Sequence, residues 1–473
     1  MDRRLVRVGT LIRRAPLTCD EHVPVREAAA LMARERVSSL LVVRPEGVGI
    51  LTDRDLRTRI LAEGRSAETP VAEAMTYPAS VVPDSATAGE VLLAMLDGGF
   101  HHFPVVGEGG RLVGVVTDTD LVGLERQSPF ALKSRISRAA TPDEVAAAGR
   151  QVPDMVAALV DASADPVDVG HGVALITDAM TVRLIELAVE VLGDAPARWA
   201  WLAMGSQARR EQALRTDQDH AIAFEDEGSD PAETARWFAE VGERVTDGLE
   251  RAGIARCEGD VMAANPAMRR TLAGWVAAYR GWVVDPGTQG SILSSIAFDY
   301  RRITGTLDVE GPLDGVIRGA RDHPVFLRHL SRRALDLRPP TGFFRDLVVV
   351  GKGEHAGRLA IKQGGLVIIG ELARAWAVGI GSSARTTLAR LSAAAATGRI
   401  DEDTHTGLAE GFRLLWEIRL DEHVRAYRAR EAPDDFVDPA TLGELTRREL
   451  KEAFRIIASA QRALSAELGV RRQ

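Results

Sequence analysis

GSQARREQALRTDQDHAIAF, residues 205–224, sets two aspartates one residue apart behind a polar, arginine-rich run that opens with Gly-Ser. The residues before it, WAWLAM (199–204), read as an apolar strand, and His220 to Phe224 read as a second short strand. Side chains at i and i+2 of a strand share one face, so Asp217 and Asp219 point the same way. Two carboxylates on one face repel each other and are costly to desolvate. A divalent cation is the usual thing that makes such a pair favourable. Gly205 permits close approach of backbone to an anion, and Ser206 adds a hydroxyl. The stretch therefore points to a metal and to a phosphate for that metal to hold.

The chain has 473 residues, which predicts roughly two to four domains. It is 45% apolar, enough for real cores, and its net charge of −8 argues against general nucleic-acid binding, which needs a basic face. Its two cysteines, Cys19 and Cys257, are far apart and lack metal-ligand spacing; they suit a reducing cytoplasm. The opening MDRRLVRVGTLIRR has arginines but no apolar core, so no signal peptide is expected. No apolar run reaches the ~18 residues of a membrane span. A cytoplasmic α/β protein without a membrane segment is predicted.

The first part of the chain repeats. VGILTDRDL (48–56) returns as VGVVTDTDL (113–121), and VREAAALM (25–32) as AGEVLLAM (88–95). Each unit reads as helix, strand, tight turn, strand, then a helix opening at T-D-x-D. With His102-Phe103-Pro104-Val105-Val106 and Met75-Thr76, these segments resemble a tandem pair of CBS domains, about 1–65 and 66–125. The resemblance implies that Thr52 and Asp55, then Thr117 and Asp120, hold the phosphate and ribose of an adenine nucleotide, and that the chain forms a homodimer through this pair. Plain helix capping is the alternative reading of the same residues.

Residues 126–195 are expected to form a helical connector. ATPDEVAAAGRQVPDMVAALVDA carries a helix start at Thr141-Pro142 and a break at Pro153, and HGVALITDAMTVRLIELAVEVLG (171–193) is apolar at helical spacing and ends at Gly193. His171 and Asp178 in it are read as structural.

Beyond the connector, the strand, Gly-Ser, Asp-x-Asp order resembles the nucleotidyltransferase superfamily that includes DNA polymerase beta. That family has a third carboxylate on a later strand, and SILSSIAFDYRRITG (291–305) supplies Asp299. The longer string G-S-x-x-R-R-E-Q-x-L-x-T-D-Q-D is similar to the DUF294-type transferases, a bacterial group joined to CBS pairs and related to the protein-PII uridylyltransferases. CEGDVMAANP (257–266), RRTLAGWVAAYRGWV (269–283) and LAIKQGGLVIIGELAR (359–374) extend the likeness, and 366–465 resembles the helical substrate-binding domain that accompanies these enzymes. The sequence departs from the group at Ala208, His220, Asp260 and Ala360, where Gly, Asn, Gly and Asp are more usual.

The implied fold is a multidomain α/β (α+β) chain: the CBS pair to 125, the connector, a mixed-sheet transferase domain at 196–340 and a helical domain at 341–473. The implied activity is a uridylyltransferase-like transfer of NMP from an NTP to a hydroxyl acceptor, such as a tyrosine on a PII-like signalling protein, regulated by the CBS ligand. Mg²⁺ or Mn²⁺ would be held by Asp217, Asp219 and Asp299, with Asp299 also helping to deprotonate the nucleophile. Gly205, Ser206, Arg209, Arg210 and Lys362 would meet the phosphates. The alternatives are an inactive nucleotide-sensing adaptor and a transferase acting on a small molecule or an RNA end.

Overall fold

The computed structural model describes residues 7–12, 15–117, 129–225, 230–287, 296–341 and 347–469. It divides into two compact units, Met1–Ala131 with Ala162–Ala164, and Leu132–Asp161 with Asp165–Gln473.

The first unit is built twice from one plan. Helix α1 (Val25–Glu35) stops where Arg36 turns left-handed and returns its N–H to the last carbonyls. Strands β1 (Ser39–Arg44) and β2 (Gly47–Thr52) then pair antiparallel, from Ser39 opposite Thr52 to Arg44 opposite Gly47. In the second half β3 (Val82–Pro83) precedes α2 (Ala88–Gly98), which Thr87 and Glu90 cap reciprocally. Strand β4 (His102–Val106) pairs parallel with β3 and antiparallel with β5 (Leu112–Thr117). Each half keeps its own core: Met32, Leu40, Val42 and Leu51 in one, Val91, Met95, Phe103 and Val116 in the other. The second T-D-x-D helix, with Asp120, lies outside the described residues.

The second unit opens with α3 (Pro129–Arg138), most of which belongs to it, then α4 (Pro142–Gly149), α5 (Val152–Asp161) and α6 (Pro166–Leu192). Proline stands first in α4 and α6, behind Thr141 and Asp165 caps, where its missing N–H costs nothing. A four-stranded sheet follows in the order β8-β7-β6-β9. Strand β6 (Trp199–Met204) is flanked antiparallel by β7 (His220–Phe224) and β9 (Tyr300–Gly305), and β8 (Arg269–Thr271) runs parallel to β7. Ala203 stands opposite His220 and Met204 opposite Tyr300. The end of β6 and the starts of β7 and β9 therefore meet at one sheet edge, which brings Gly205, Asp219 and Asp299 together.

Helices α7 (Pro231–Arg251) and α8 (Leu272–Val284) join the sheet. Trp275, Tyr279, Phe298 and Tyr300 fill the core with Leu202 and Met204. The Trp275 indole N–H donates to the Ile222 carbonyl at 2.9 Å, so the helix that carries it is pinned to β7. The longer helices that follow are α9 (Glu310–Gly319), α10 (Pro324–Asp336), α11 (Val367–Gly379), α12 (Thr387–Ala396), α13 (Glu402–Ala429) and α14 (Glu444–Leu468). Short strands β10 (Leu359–Ala360) and β11 (Phe436–Val437) clip the segment before α11 to the one after α13. Helix α11 is buried along its whole length from Ile368 to Val378, Glu371 and Arg374 included. Connector, sheet and C-terminal helices fall within one compact unit. Among the described residues no helix is long and apolar enough to cross a membrane.

Candidate functional site

Met204 ends β6 in extended backbone, and Gly205 turns with φ +55°, a conformation that favours glycine. A Cβ there would meet Asp219 Oδ2 at 2.6 Å, so the bare glycine is what makes room for the carboxylate. Asp217 lies just upstream of β7, bridged in parallel to Ala255. Gln218, between the two aspartates, turns to the other face, where its amide donates to the carbonyls of Ile254 at 2.9 Å and Thr246 at 3.2 Å. Two residues past that bridge, Cys257 arrives beside Asp219. Ligand atoms of Asp217, Asp219 and Cys257 lie within 4.8 Å of one another. Burial and the neighbouring Asp217 charge push Asp219 up to about 6. Burial and Asp219 push the Cys257 thiol up to about 11, which makes it a poor nucleophile. Neither aspartate makes an ion pair among the described residues, so both keep oxygens available for a cation.

Asp299 does not join this group. Its Oδ1 faces Arg374 Nε at 3.2 Å and Arg390 Nη2 at 2.6 Å; its Oδ2 faces Arg374 Nη2 at 2.6 Å and Arg209 Nη1. A carboxylate has about four lone-pair sites, and all are taken. Burial alone would raise this group, but Arg374, Arg390 and Arg209 outweigh it and hold it well below the carboxylate range. In this arrangement the Asp299 carboxylate, which the sequence reading assigned to the metal and to the nucleophile's proton, anchors three arginines.

The aspartate pair opens into a cavity of about 250 Å³. Of the residues read as phosphate-binding, Gly205, Ser206, Arg209 and Lys362 line it, whereas Arg210 does not. Arg210 is left-handed, with φ 60°, and sends Nη1 to His171 Nε2 at 2.6 Å. Arg209 bonds Glu211 as well as Asp299, and Glu211 in turn accepts from the Thr387 N–H at 2.7 Å. Lys362 lies 3.6 Å from Asp435, which supplies the nearby carboxylate that Ala360 does not. Ala208 is helical, and the left-handed residues of this turn are Gly205 and Arg210. Asp178 holds Arg301 at 2.8 Å and accepts from Gln207 at 3.0 Å, which ties α6 to the Gly-Ser turn.

Sequence reading missed Arg215, Arg333, Arg374 and Arg419 on the cavity wall and the apolar end formed by Leu366, Phe412 and Trp416. One signal was present: Arg374 sits in the otherwise apolar run LARAWAV, and an arginine at a buried helical position requires a carboxylate partner. Arg215 is exposed and makes no ion pair among the described residues, which leaves its guanidinium available.

The first unit has a separate cavity of about 480 Å³, lined by Thr52, Asp55, Arg59 and His102 among others. Thr52 and Asp55 form a capping box, hydroxyl to carboxylate at 2.7 Å. Thr117 ends β5 opposite His102.

Three family descriptions match the chain. "CBS domain" matches residues 8–62 and 71–126, "Putative nucleotidyltransferase DUF294" matches 150–289, and "Putative nucleotidyltransferase substrate binding domain" matches 324–468. An uncharacterised protein of Methanopyrus kandleri is 30% identical over 125 residues, 26% of this chain and 64% of that protein. A CBS domain-containing protein of Arabidopsis thaliana is 37% identical over 106 residues, 22% of this chain and 20% of that protein. The chain thus spans less than two thirds of either relative. Among solved structures, a CBS-domain protein of Agrobacterium tumefaciens is 30% identical with TM-score 0.24, covering 25% of this chain and 98% of that one. A CBS domain protein of Pyrobaculum aerophilum complexed with AMP is 25% identical with TM-score 0.23, covering 24% and 89%. Carrying all three elements in this order, the chain belongs to the CBS-domain-pair proteins with a DUF294-type nucleotidyltransferase domain and its C-terminal substrate-binding domain.

Proposed function

We propose that the second unit moves an NMP from a nucleoside triphosphate to a hydroxyl acceptor, with Mg²⁺ or Mn²⁺ held by Asp217 and Asp219. The observation that carries this reading is the Gly205 turn: it has no Cβ where Asp219 lies, and it sets the aspartate pair and Ser206 on one cavity with Arg215 and Lys362. The donor set suits a hard divalent cation, which takes carboxylate, phosphate and water oxygens. Such an ion would bind the triphosphate and stabilise charge on the transferring and leaving oxygens. Arg215 and Lys362 neutralise phosphate charge, the Gly205–Ser206 turn admits the phosphates to the backbone, and the apolar end offers a place for the base. A tyrosine of a small PII-like protein is the acceptor the resemblance suggests.

In the first unit, Thr52 and Asp55 are the residues we assign to an adenine nucleotide, with Thr117 and Asp120 as their counterparts. Its binding would set the transfer rate by favouring one conformation of the chain. Dimerisation through the CBS pair belongs to the same proposal.

A second reading, a nucleotide-binding adaptor without turnover, is favoured by the engagement of Asp299 with three arginines. Pyrophosphate release decides between them. The purified chain is incubated with Mg²⁺, each NTP in turn, and host lysate as acceptor. Release with one NTP, absent from Asp217→Asn/Asp219→Asn, supports the transferase; binding of NTP without release supports the adaptor.

A further inference from the structure

The Asp435 carboxylate lies behind the cationic wall of the cavity. Its Oδ1 accepts from Arg419 Nε at 2.7 Å and lies 3.3 Å from His423 Nε2, while Oδ2 is 3.6 Å from the Lys362 ammonium. Backbone puts it there. Ala360 pairs with Phe436, and the Ile361 N–H donates to the Asp435 carbonyl at 3.1 Å, so the residue before β11 is locked beside the residue after β10. The other arm of Arg419 donates to the Arg215 carbonyl at 3.3 Å, in the approach to Asp217. Lys362 and Arg419 line the cavity that holds Asp217 and Asp219; Asp435 does not.

We propose that Asp435 is a positioning residue, holding Lys362 and Arg419 at the cavity for the phosphate tail of a nucleoside triphosphate. The inference rests on the transferase reading above. Lysine is a point charge on a flexible four-carbon stem, and ordering it on binding costs rotamer freedom. Asp435 imposes that order before the ligand arrives, and it directs both cations from one point. The sign of its effect separates positioning from bulk charge. As a mere negative charge near an anion site, Asp435 opposes phosphate, and its removal would tighten binding. As a positioning group its removal loosens binding.

The test uses the full chain and inorganic tripolyphosphate with Mg²⁺, which needs no knowledge of the base. Wild type is expected to bind, and Lys362→Ala to weaken binding about tenfold or more, which assigns the signal to this cavity. Asp435→Asn is expected to weaken it by a similar factor. The double variant should be little worse than either single change, because the two residues act as one unit. Asp435→Glu keeps the charge but displaces it; should Asp435→Asn not fold, Asp435→Glu in a chain that melts like wild type is expected to weaken binding about threefold or more. Unchanged or tighter binding in folded Asp435→Asn, or in folded Asp435→Glu, overturns the inference while leaving the transferase reading intact. No tripolyphosphate binding by wild type overturns both.

Discussion

Arg374 grips Asp299 with two nitrogens, Nη2 to Oδ2 at 2.6 Å and Nε to Oδ1 at 3.2 Å. One partner stands just before strand β9 of the sheet and the other lies in the middle of a buried C-terminal helix. Arg390, from the next helix, adds a third contact at 2.6 Å. The sheet and the C-terminal helices are thus joined across a buried carboxylate, and the Glu211 contact with Thr387 adds a second such link.

Replacing Asp299 by Asn would leave Arg390 buried without its anion and Arg374 with Glu371 alone. Removing one partner of a buried ion pair costs about 3–5 kcal/mol, and a loss of that order is expected in urea unfolding of Asp299→Asn. A chain that unfolds like wild type yet has lost transfer would instead make Asp299 a metal ligand.

Gly205→Ala places a methyl group against Asp219 and strains a left-handed backbone. The expected stability loss is about 1–2 kcal/mol, and Mn²⁺ affinity should fall by about tenfold or more as the carboxylate is displaced. Electron paramagnetic resonance of Mn²⁺ titrations reads the second effect; wild-type affinity would count against the cradle.

His220 gives a pH dependence. It accepts from the Ala263 N–H at Nδ1, 3.0 Å, so its proton sits on Nε2, facing Gln218 Oε1 at 3.0 Å. Burial lowers it to about 3 from an ordinary 6.5. Above 6.5 the ring is neutral folded and unfolded, and contributes no pH dependence. Below 6.5 only the unfolded chain takes up the proton, so stability falls as pH drops towards 3. The slope from this one group is about 1.4 kcal/mol per pH unit. Urea unfolding between pH 7 and 5 should show a shallower loss in His220→Gln than in wild type; equal slopes would contradict this.

Adenine nucleotides should change the transfer rate through the first unit. AMP, ADP and ATP are each titrated into wild type and Thr52→Ala, with binding measured alongside rate. A rate change in wild type that shrinks in Thr52→Ala is expected; demonstrable binding with no change in rate would end the regulatory proposal.

Much of this was legible along the chain. The 65-residue return of Thr52-Asp53-x-Asp55 shows the repeat, and the i, i+2 spacing of Asp217 and Asp219 is a local property of a strand. The partners of these residues were not legible. Arg374 and Arg390 reach Asp299 from helices far along the sequence, and Cys257 reaches Asp219 only through the bridge at Ala255. Asp435 reaches Lys362 only through the pairing of two two-residue strands. Each is a long-range pairing with no spacing signal, so motif reading could single out the two aspartates but not what surrounds them.

The most direct test of nucleotidyl transfer compares α- and γ-labelled NTP in one assay with Mg²⁺ and host lysate, beside Asp217→Asn/Asp219→Asn. The expected result is an acceptor labelled from the α-phosphate, unlabelled from the γ-phosphate, and unlabelled with the variant. Label arriving from the γ-phosphate, or from the α-phosphate without both aspartates, would contradict it.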